Sequence, residues 1–272
     1  MTKLFLSKLI FILVFGFDFN IIVVFLSMYM SKDIFKFRNF SVSHAKSSMR
    51  VGTDAVLLGA WAEPALDLVS DSFRALDIGC GCGLIGMMIA QRFPGLYVVG
   101  VDIDEASILE ANENADNSPF ADRLSFACKD IREFSKEESL HNSFRFILCN
   151  PPYYTEDTLP PDARRSMARN SAHLSFAELV QSVCRVMSDK ARFAVVLPMQ
   201  VRDMFVGEAL QGGLHICREC HVKTTSQKTP KRVLLEFINR ADSILEKTAI
   251  VLQDKTGSRS KEYASLCEDF YL

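Results

Sequence analysis

Two short stretches of the 272-residue chain carry more special residues than a fold alone requires. The first is Asp77-Ile78-Gly79-Cys80-Gly81-Cys82-Gly83, in which glycines alternate directly after an apolar run. Glycines at a strand-to-helix turn let a ligand approach the backbone closely, and the helix behind them presents unpaired N–H groups. Such a turn is a nucleotide loop. Gly81, Gly83 and Gly86 even match the dinucleotide fingerprint, with Asp102 further on to hold ribose hydroxyls, so NAD stays open on these residues. Asp77 weighs against it, because a carboxylate two residues before the first glycine repels a pyrophosphate and favours a cationic ligand. The second stretch, Asn150-Pro151-Pro152-Tyr153, ends the apolar run Phe144 to Cys149. A tight turn needs one proline or one glycine. An amide, two prolines and an aromatic ring suggest a site.

The elements that must position these residues follow from periodicity. From residue 73 strand and helix patterns alternate, which argues for a parallel sheet covered on both faces. Strands are expected at about 73–78, 96–101, 124–128, 144–149 and 190–197, and helices at about 84–93, 104–116, 175–187 and 200–211. Two more strand-like runs, 214–224 and 232–238, flank a polar turn and should form an antiparallel pair at the end of the sheet. A strand-like run at 246–252 and a helix at 260–270 close the chain. The expected fold is α/β, a doubly wound, mostly parallel Rossmann-like sheet with an antiparallel end. Residues 28–272 read as one domain that includes a short N-terminal segment, 28–72.

Asp77-x-Gly79-x-Gly81-x-Gly83 resembles the first motif of the class I methyltransferases, whose cofactor, S-adenosylmethionine, carries a sulfonium and an ammonium and no phosphate. That resemblance implies roles for two more carboxylates at successive strand ends. Asp102 would accept both ribose hydroxyls, and Asp130 would accept from the adenine amino group, with Ile103 and Ile131 on either face of the ring. Asn150 to Tyr153 in turn resembles the Asn/Asp/Ser-Pro-Pro-aromatic motif of methyltransferases that act on planar amino nitrogens. The lone pair of such a nitrogen is delocalised into its ring. The Asn150 side-chain oxygen and the Pro151 carbonyl can each accept one N–H, which localises the lone pair and aims it. Pro151 and Pro152 fix the backbone, and Tyr153 offers a stacking ring for a flipped-out base.

The segment before the sheet narrows the resemblance. Phe35-Lys36-Phe37-Arg38-Asn39-Phe40, followed by Met49-Arg50-Val51-Gly52-Thr53-Asp54 and an apolar run to Trp61, looks like the opening of the bacterial tRNA1(Val) (adenine-37-N6)-methyltransferases. Members of that family methylate N6 of adenosine 37 beside the anticodon. In physical terms Thr53 should cap an apolar helix that closes over the methionine end of the cofactor. Ribosomal RNA guanine-N2 and protein glutamine-N5 methyltransferases share the later motifs, and an RNA-binding module that retains the cofactor site is the non-enzymatic alternative. The glutamine enzymes carry a helical domain before the glycine turn, which this chain lacks room for between Ser31 and the first strand.

The charge of −2 excludes a generally basic surface, so RNA must be held locally. Arg164, Arg165 and Arg169, then Arg185, Lys190 and Arg192, form one basic group. Lys223, Lys228, Lys231 and Arg232 form another, around the later turn. Phe37, Phe40 and His44 offer either stacking surface or core. Eight cysteines without scaffold spacing suit a reducing cytoplasm, and Cys217-Arg218-Glu219-Cys220-His221 reads as strand cysteines although it matches a haem-attachment pattern. No metal and no stable protein partner is expected. Residues 1–27 are nearly wholly apolar but contain Asp18 and Asn20, and Met28 and Met30 stand before a polar start. They read as an extension upstream of the true start, so a membrane is not expected as a partner.

Overall fold

A computed structural model of the chain describes residues 33–47, 50–65, 73–151, 174–241 and 244–272. The apolar extension 1–27, and the site candidates Pro152, Tyr153, Arg164, Arg165 and Arg169, lie outside the described residues.

A short antiparallel pair, β1 (Ile34–Lys36) and β2 (Ser41–Ser43), precedes helix α1 (Thr53–Trp61). The alternating region then supplies β3 (Phe73–Ile78), α2 (Leu84–Arg92), β4 (Leu96–Asp102), α3 (Glu105–Asp116), β5 (Leu124–Cys128), the short α4 (Ile131–Phe134) and β6 (Phe144–Cys149). From residue 174 onward follow α5 (Phe176–Val186), β7 (Met187–Pro198), α6 (Arg202–Gln211), β8 (His215–Lys223), β9 (Arg232–Ile238), β10 (Glu246–Val251) and α7 (Lys261–Leu266). Every strand and helix expected from residue 73 onward is present, with bounds shifted by a few residues.

The large sheet has the order β10-β8-β9-β7-β6-β3-β4-β5. Strands β3 to β7 pair in parallel, and β9 runs against both β7 and β8. The expected antiparallel pair forms, but it does not end the sheet. The tail strand β10 pairs in parallel with β8, Glu246 opposite Arg218 through Val251 opposite Lys223, and so satisfies backbone groups that β8 would otherwise leave open. The chain leaves β3 toward β4 and β5 and returns to β6 on its other side. That reversal opens a crevice at the C-terminal ends of β3 and β6.

Period-two alternation divides the core between the two faces. Phe146 and Leu148 of β6 face one apolar cluster with α1, α2 and the tail; Ile147 and Cys149 face the other, with α4, α5 and α6. Phe37 and Phe40 are buried in the first cluster, stacked on each other at 4.8 Å, and Phe37 also stacks on Tyr271 at 6.1 Å. His44 is buried too, its Nδ1 accepting the Val51 N–H at 3.2 Å. These three residues are therefore core and offer no open surface to a base. Gly52, not Thr53, is the N-cap of α1; Thr53 is the first helical residue, and no side chain caps that end. Cys217 and Cys220 lie buried in β8, Cys217 at a register shift opposite Phe237 and Glu236.

Candidate cofactor and acceptor site

The glycine turn between β3 and α2 takes backbone angles that side chains disfavour: φ is 68° at Gly79, 53° at Gly81 and 82° at Gly83. Gly83 is also tightly packed. A Cβ there would stand 2.8 Å from the Phe126 ring, and one at Gly100 on β4 would stand 2.4 Å from the same ring. Phe126 of β5 thus needs both glycines in order to draw the turn down onto β4.

Asp102 ends β4 and is locked to that turn. Its Oδ2 accepts the Gly81 N–H at 2.9 Å and its Oδ1 the Asp104 N–H at 3.0 Å. A carboxylate has about four acceptor sites, so each oxygen keeps capacity directed away from the backbone, which suits two ribose hydroxyls. Ile103, next in sequence, is 54% exposed and gives an open apolar surface beside that carboxylate. Ile131 differs from it. Its side chain is 4% exposed and packs into the cluster with Phe134 and Leu140, so it supports the strand ends more than it faces the crevice.

Asp77 lies beneath the turn with no exposed surface. Its Oδ2 accepts the Gly86 N–H at 3.0 Å, while Oδ1 is buried without a hydrogen-bond partner among the described residues. Burial, opposed by the Gly86 hydrogen bond and reinforced by nearby Asp102, pushes its carboxyl up to about 7. An orphaned acid oxygen under a glycine turn suits a cation above it, so the donor set fits S-adenosylmethionine better than a dinucleotide. Asp130 is more heavily committed. It caps α4 through the Arg132 N–H at 2.9 Å and also takes the Arg132 guanidinium on both oxygens, which holds its carboxyl below the usual range. Arg132 continues to Glu178 at 3.3 Å.

On the other side of the crevice, Cys149 pairs with Ile78 of β3 and Val195 of β7, so half-buried Asn150 and buried Pro151 emerge beside the glycine turn. The β8–β9 hairpin rises from the same end of the sheet, because the Lys231 N–H bonds Val222 O and the Met199 N–H bonds Lys231 O just beyond β7. Lys228 and Lys231 are exposed there. Arg232 is partly engaged, its Nε donating to Asp54 Oδ2 of α1 at 2.7 Å. The first basic group does not hold together. Arg185 and Lys190 lie near the N-terminal end of β7, remote from Asn150, and Arg192 is bound to buried Glu236 at 3.0 Å. Sequence position alone had set Arg185, Lys190 and Arg192 beside a turn from which β7 separates them; Arg164, Arg165 and Arg169 lie outside the described residues. Glu110 and Asn114, both buried on α3 and bonded to residues 43–47, were not anticipated. The available signal was two polar residues four apart on the face that also carries Ala111 and Ala115.

Residues 55–176 match the family described as Methyltransferase small domain. A solved structure described as a predicted O-methyltransferase from Agrobacterium tumefaciens shares the fold, with a TM-score of 0.62 at 16% identity over 80% of this chain and 96% of that one. The fold is the Rossmann-like one of this class, and the chain is an S-adenosylmethionine-dependent methyltransferase. Curated tRNA1(Val) (adenine(37)-N6)-methyltransferases are much nearer in sequence. That of Bacteroides fragilis is 37% identical over 89% of this chain and 99% of its own length, and that of Porphyromonas gingivalis 37% over 89% and 96%. The chain belongs to this tRNA1(Val) (adenine(37)-N6)-methyltransferase family.

Proposed function

We propose that the chain methylates N6 of adenosine 37 in tRNA1(Val). The observation that carries this is the identity of 33% to 37% across 89% of the chain to enzymes named for that reaction. S-adenosylmethionine, when bound, supplies a methyl group made electrophilic by its sulfonium. The glycine turn gives it backbone contact, Asp102 holds the ribose, Ile103 meets the adenine ring, and Asp130 and Ile131 bound the adenine end. Asp77 contributes negative potential beneath the positively charged part.

Asn150 Oδ1 and the Pro151 carbonyl accept the two N–H groups of the target adenine, so that its lone pair leaves conjugation and points along the transfer line. No strong general base is needed for this. Pro152 fixes the turn and Tyr153 stacks on the flipped base, worth roughly 1 to 3 kcal/mol. The RNA backbone passes over the β7–β9–β8 end of the sheet. Strand spacing of about 4.8 Å puts β8 about 14 Å from β6, within reach of phosphates flanking the flipped nucleotide, where Lys228, Lys231 and the partly paired Arg232 would meet them. Arg164, Arg165 and Arg169 belong to the same reading. The cytoplasm is the compartment it implies; among the described residues no helix is long and apolar enough to cross a membrane. The same reading treats residues 1–27 as separate from one catalytic domain, 28–272.

The test is to incubate the protein with labelled S-adenosylmethionine and total tRNA from a strain lacking the enzyme, then to digest and identify the product. N6-methyladenosine at position 37 of valine tRNA is expected. Label in N2-methylguanosine, in protein, or in no acceptor overturns the proposal.

A further inference from the structure

Helix α3 carries a carboxylate that no step above employs. Glu110 has no exposed surface, yet it lies on a helix whose other face is open to solvent. Among the described residues its hydrogen-bond partners come from the last residue of β2, Ser43, and from the segment that follows it. Oε1 accepts from Ser43 Oγ at 2.8 Å and from the Ala45 N–H at 2.8 Å; Oε2 accepts from the Ser47 N–H at 2.8 Å; the Lys46 N–H is shared between them at 3.1 and 3.2 Å. Three successive backbone N–H groups converging on one anion form a nest, here filled from inside the protein.

One turn along α3, Asn114 continues the attachment. Its Oδ1 accepts the Ser43 N–H at 2.8 Å, while its Nδ2 donates at 2.9 Å both to Ser43 O and to Cys82 O in the glycine turn. The far end of the segment reaches the same turn. Ser47 Oγ lies 3.1 Å from Ser107 Oγ, and Ser107 Oγ donates to Asp104 Oδ2 at 2.6 Å. The Asp104 N–H in turn is held by Asp102, whose other oxygen holds Gly81. Ser47 Oγ stands 3.4 Å from where a Cβ on Gly81 would be, so it occupies the space directly over the glycine turn. Residues 43–47, the glycine turn and the ribose carboxylate are therefore one hydrogen-bonded unit with Glu110 at its hub.

We infer that Glu110 is a positioning residue for the cofactor: it holds Ser43–Ser47 over the glycine turn as a wall of the S-adenosylmethionine site. The inference rests on the methyltransferase reading. Its physical basis is that a ligand seated on Gly79–Gly83 must pass beneath Ser47, and the height of that wall is set by the Glu110 nest. A glutamine cannot replace the carboxylate, because its NH₂ group would face backbone N–H donors whichever way the amide turned. Lys46 also pairs with Glu113 at 2.9 Å, but both side chains are at least half exposed and the pair adds little.

Hydrogen exchange of the wild-type chain, with and without S-adenosylhomocysteine, is the first measurement. Ligand should slow exchange of the Ala45, Lys46 and Ser47 amides. Glu110→Gln should then raise KM for S-adenosylmethionine by about 10- to 100-fold, the scale of losing charge-assisted hydrogen bonds, with kcat at saturating cofactor within about threefold of wild type and KM for tRNA unchanged. A residue that only stabilises the fold would lower the melting temperature and leave that KM in place, which overturns the inference. So do amides at 45–47 that ignore the ligand, a readout that decides the matter even if the variant does not fold. A wild-type chain that binds no S-adenosylhomocysteine would instead defeat the methyltransferase reading beneath it.

Discussion

Under the proposed function, the two halves of the sheet's C-terminal edge would recognise by different means. Over β3, β4 and β5 the binding groups are fixed by backbone: three glycines at positive φ, a helix start, and Asp102 clamped by the N–H groups of Gly81 and Asp104. Over β6, β7, β9 and β8 they are mainly side chains, with the Pro151 carbonyl beside Asn150, and the cations among them vary in what they have left to give. Arg232 is bound to Asp54, and Arg202 lies between Asp203 and buried Glu219, whereas Lys228 and Lys231 stand exposed. The first half is preorganised, which suits a small ligand of fixed shape. The second half suits a long polyanion whose position is set by charge and by one hydrogen-bonding turn.

Mutations should separate the halves by which constant they change. Asn150→Ala removes one of the two acceptors that set the geometry of the amino group. The expected loss in kcat is roughly 100- to 1000-fold, the scale of deleting one transition-state hydrogen bond, with cofactor affinity by calorimetry unchanged. An equal loss of cofactor affinity would mean that β6 belongs to the cofactor half. Asp102→Asn should do the reverse. It leaves an amide N–H facing a backbone N–H and weakens the ribose contact, which raises the cofactor Kd about 10- to 100-fold. Unchanged Kd in that variant would remove Asp102 from the site.

The same division explains how much of the molecule is legible in its sequence. The glycine turn was legible because its geometry needs a particular residue type at particular spacings: a side chain at Gly83 or Gly100 would collide with Phe126, so the sequence must carry glycine there. The central strands β3, β6 and β9 were legible because both their faces are largely buried and their runs are apolar. Other features depend on pairings distant in the chain. Arg232 looked unpaired until α1 brought Asp54 to 2.7 Å, and Arg185, Lys190 and Arg192 looked like neighbours of the Asn150 turn until the fold set Arg185 and Lys190 near the start of β7 and paired Arg192 with Glu236. Phe37 and Phe40 could have been surface or core, and the tail residue Tyr271 decided it. The edge position of β10 was likewise invisible, since nothing local in Glu246–Val251 says which strand it will join.

Asp77 gives the comparison a pH axis. In the free protein its carboxyl is raised to about 7, chiefly by burial, while Asp102 adds repulsion and the Gly86 N–H opposes both. The thiols of Cys80, Cys82 and Cys149 face it, and burial pushes each of them upward, Cys82 to about 12, so they remain neutral. An unfolded Asp has released its proton by about pH 5. The folded state therefore gains relative stability from Asp77 at low pH and loses it as pH rises from about 4 through 7. A cationic ligand favours the ionised form, so affinity for S-adenosylmethionine should rise severalfold between pH 6 and 8. Asp77→Asn should flatten both curves, read as the wild-type minus variant difference in melting temperature and in Kd. A difference that stays constant across that window would place the titration elsewhere, with buried Glu236, whose carboxyl is also raised by burial, as the other candidate.

The smallest effects are expected on the acceptor half, and they test whether exposure or mere charge determines which cations meet RNA. Lys228→Ala and Lys231→Ala should each weaken tRNA binding a few-fold and reduce the slope of log K against log salt by about 1, as the loss of one phosphate contact does. Arg232→Ala should behave differently. Part of its charge is already spent on Asp54, so its change in slope should be smaller than theirs, and the variant should lose thermal stability because Asp54 is left partly buried without its partner. Measuring all three by titration at several salt concentrations, with melting curves alongside, ranks them directly. If Arg232→Ala gives the largest change in slope, the ion pair with Asp54 opens when RNA binds, and α1 then belongs to the acceptor half.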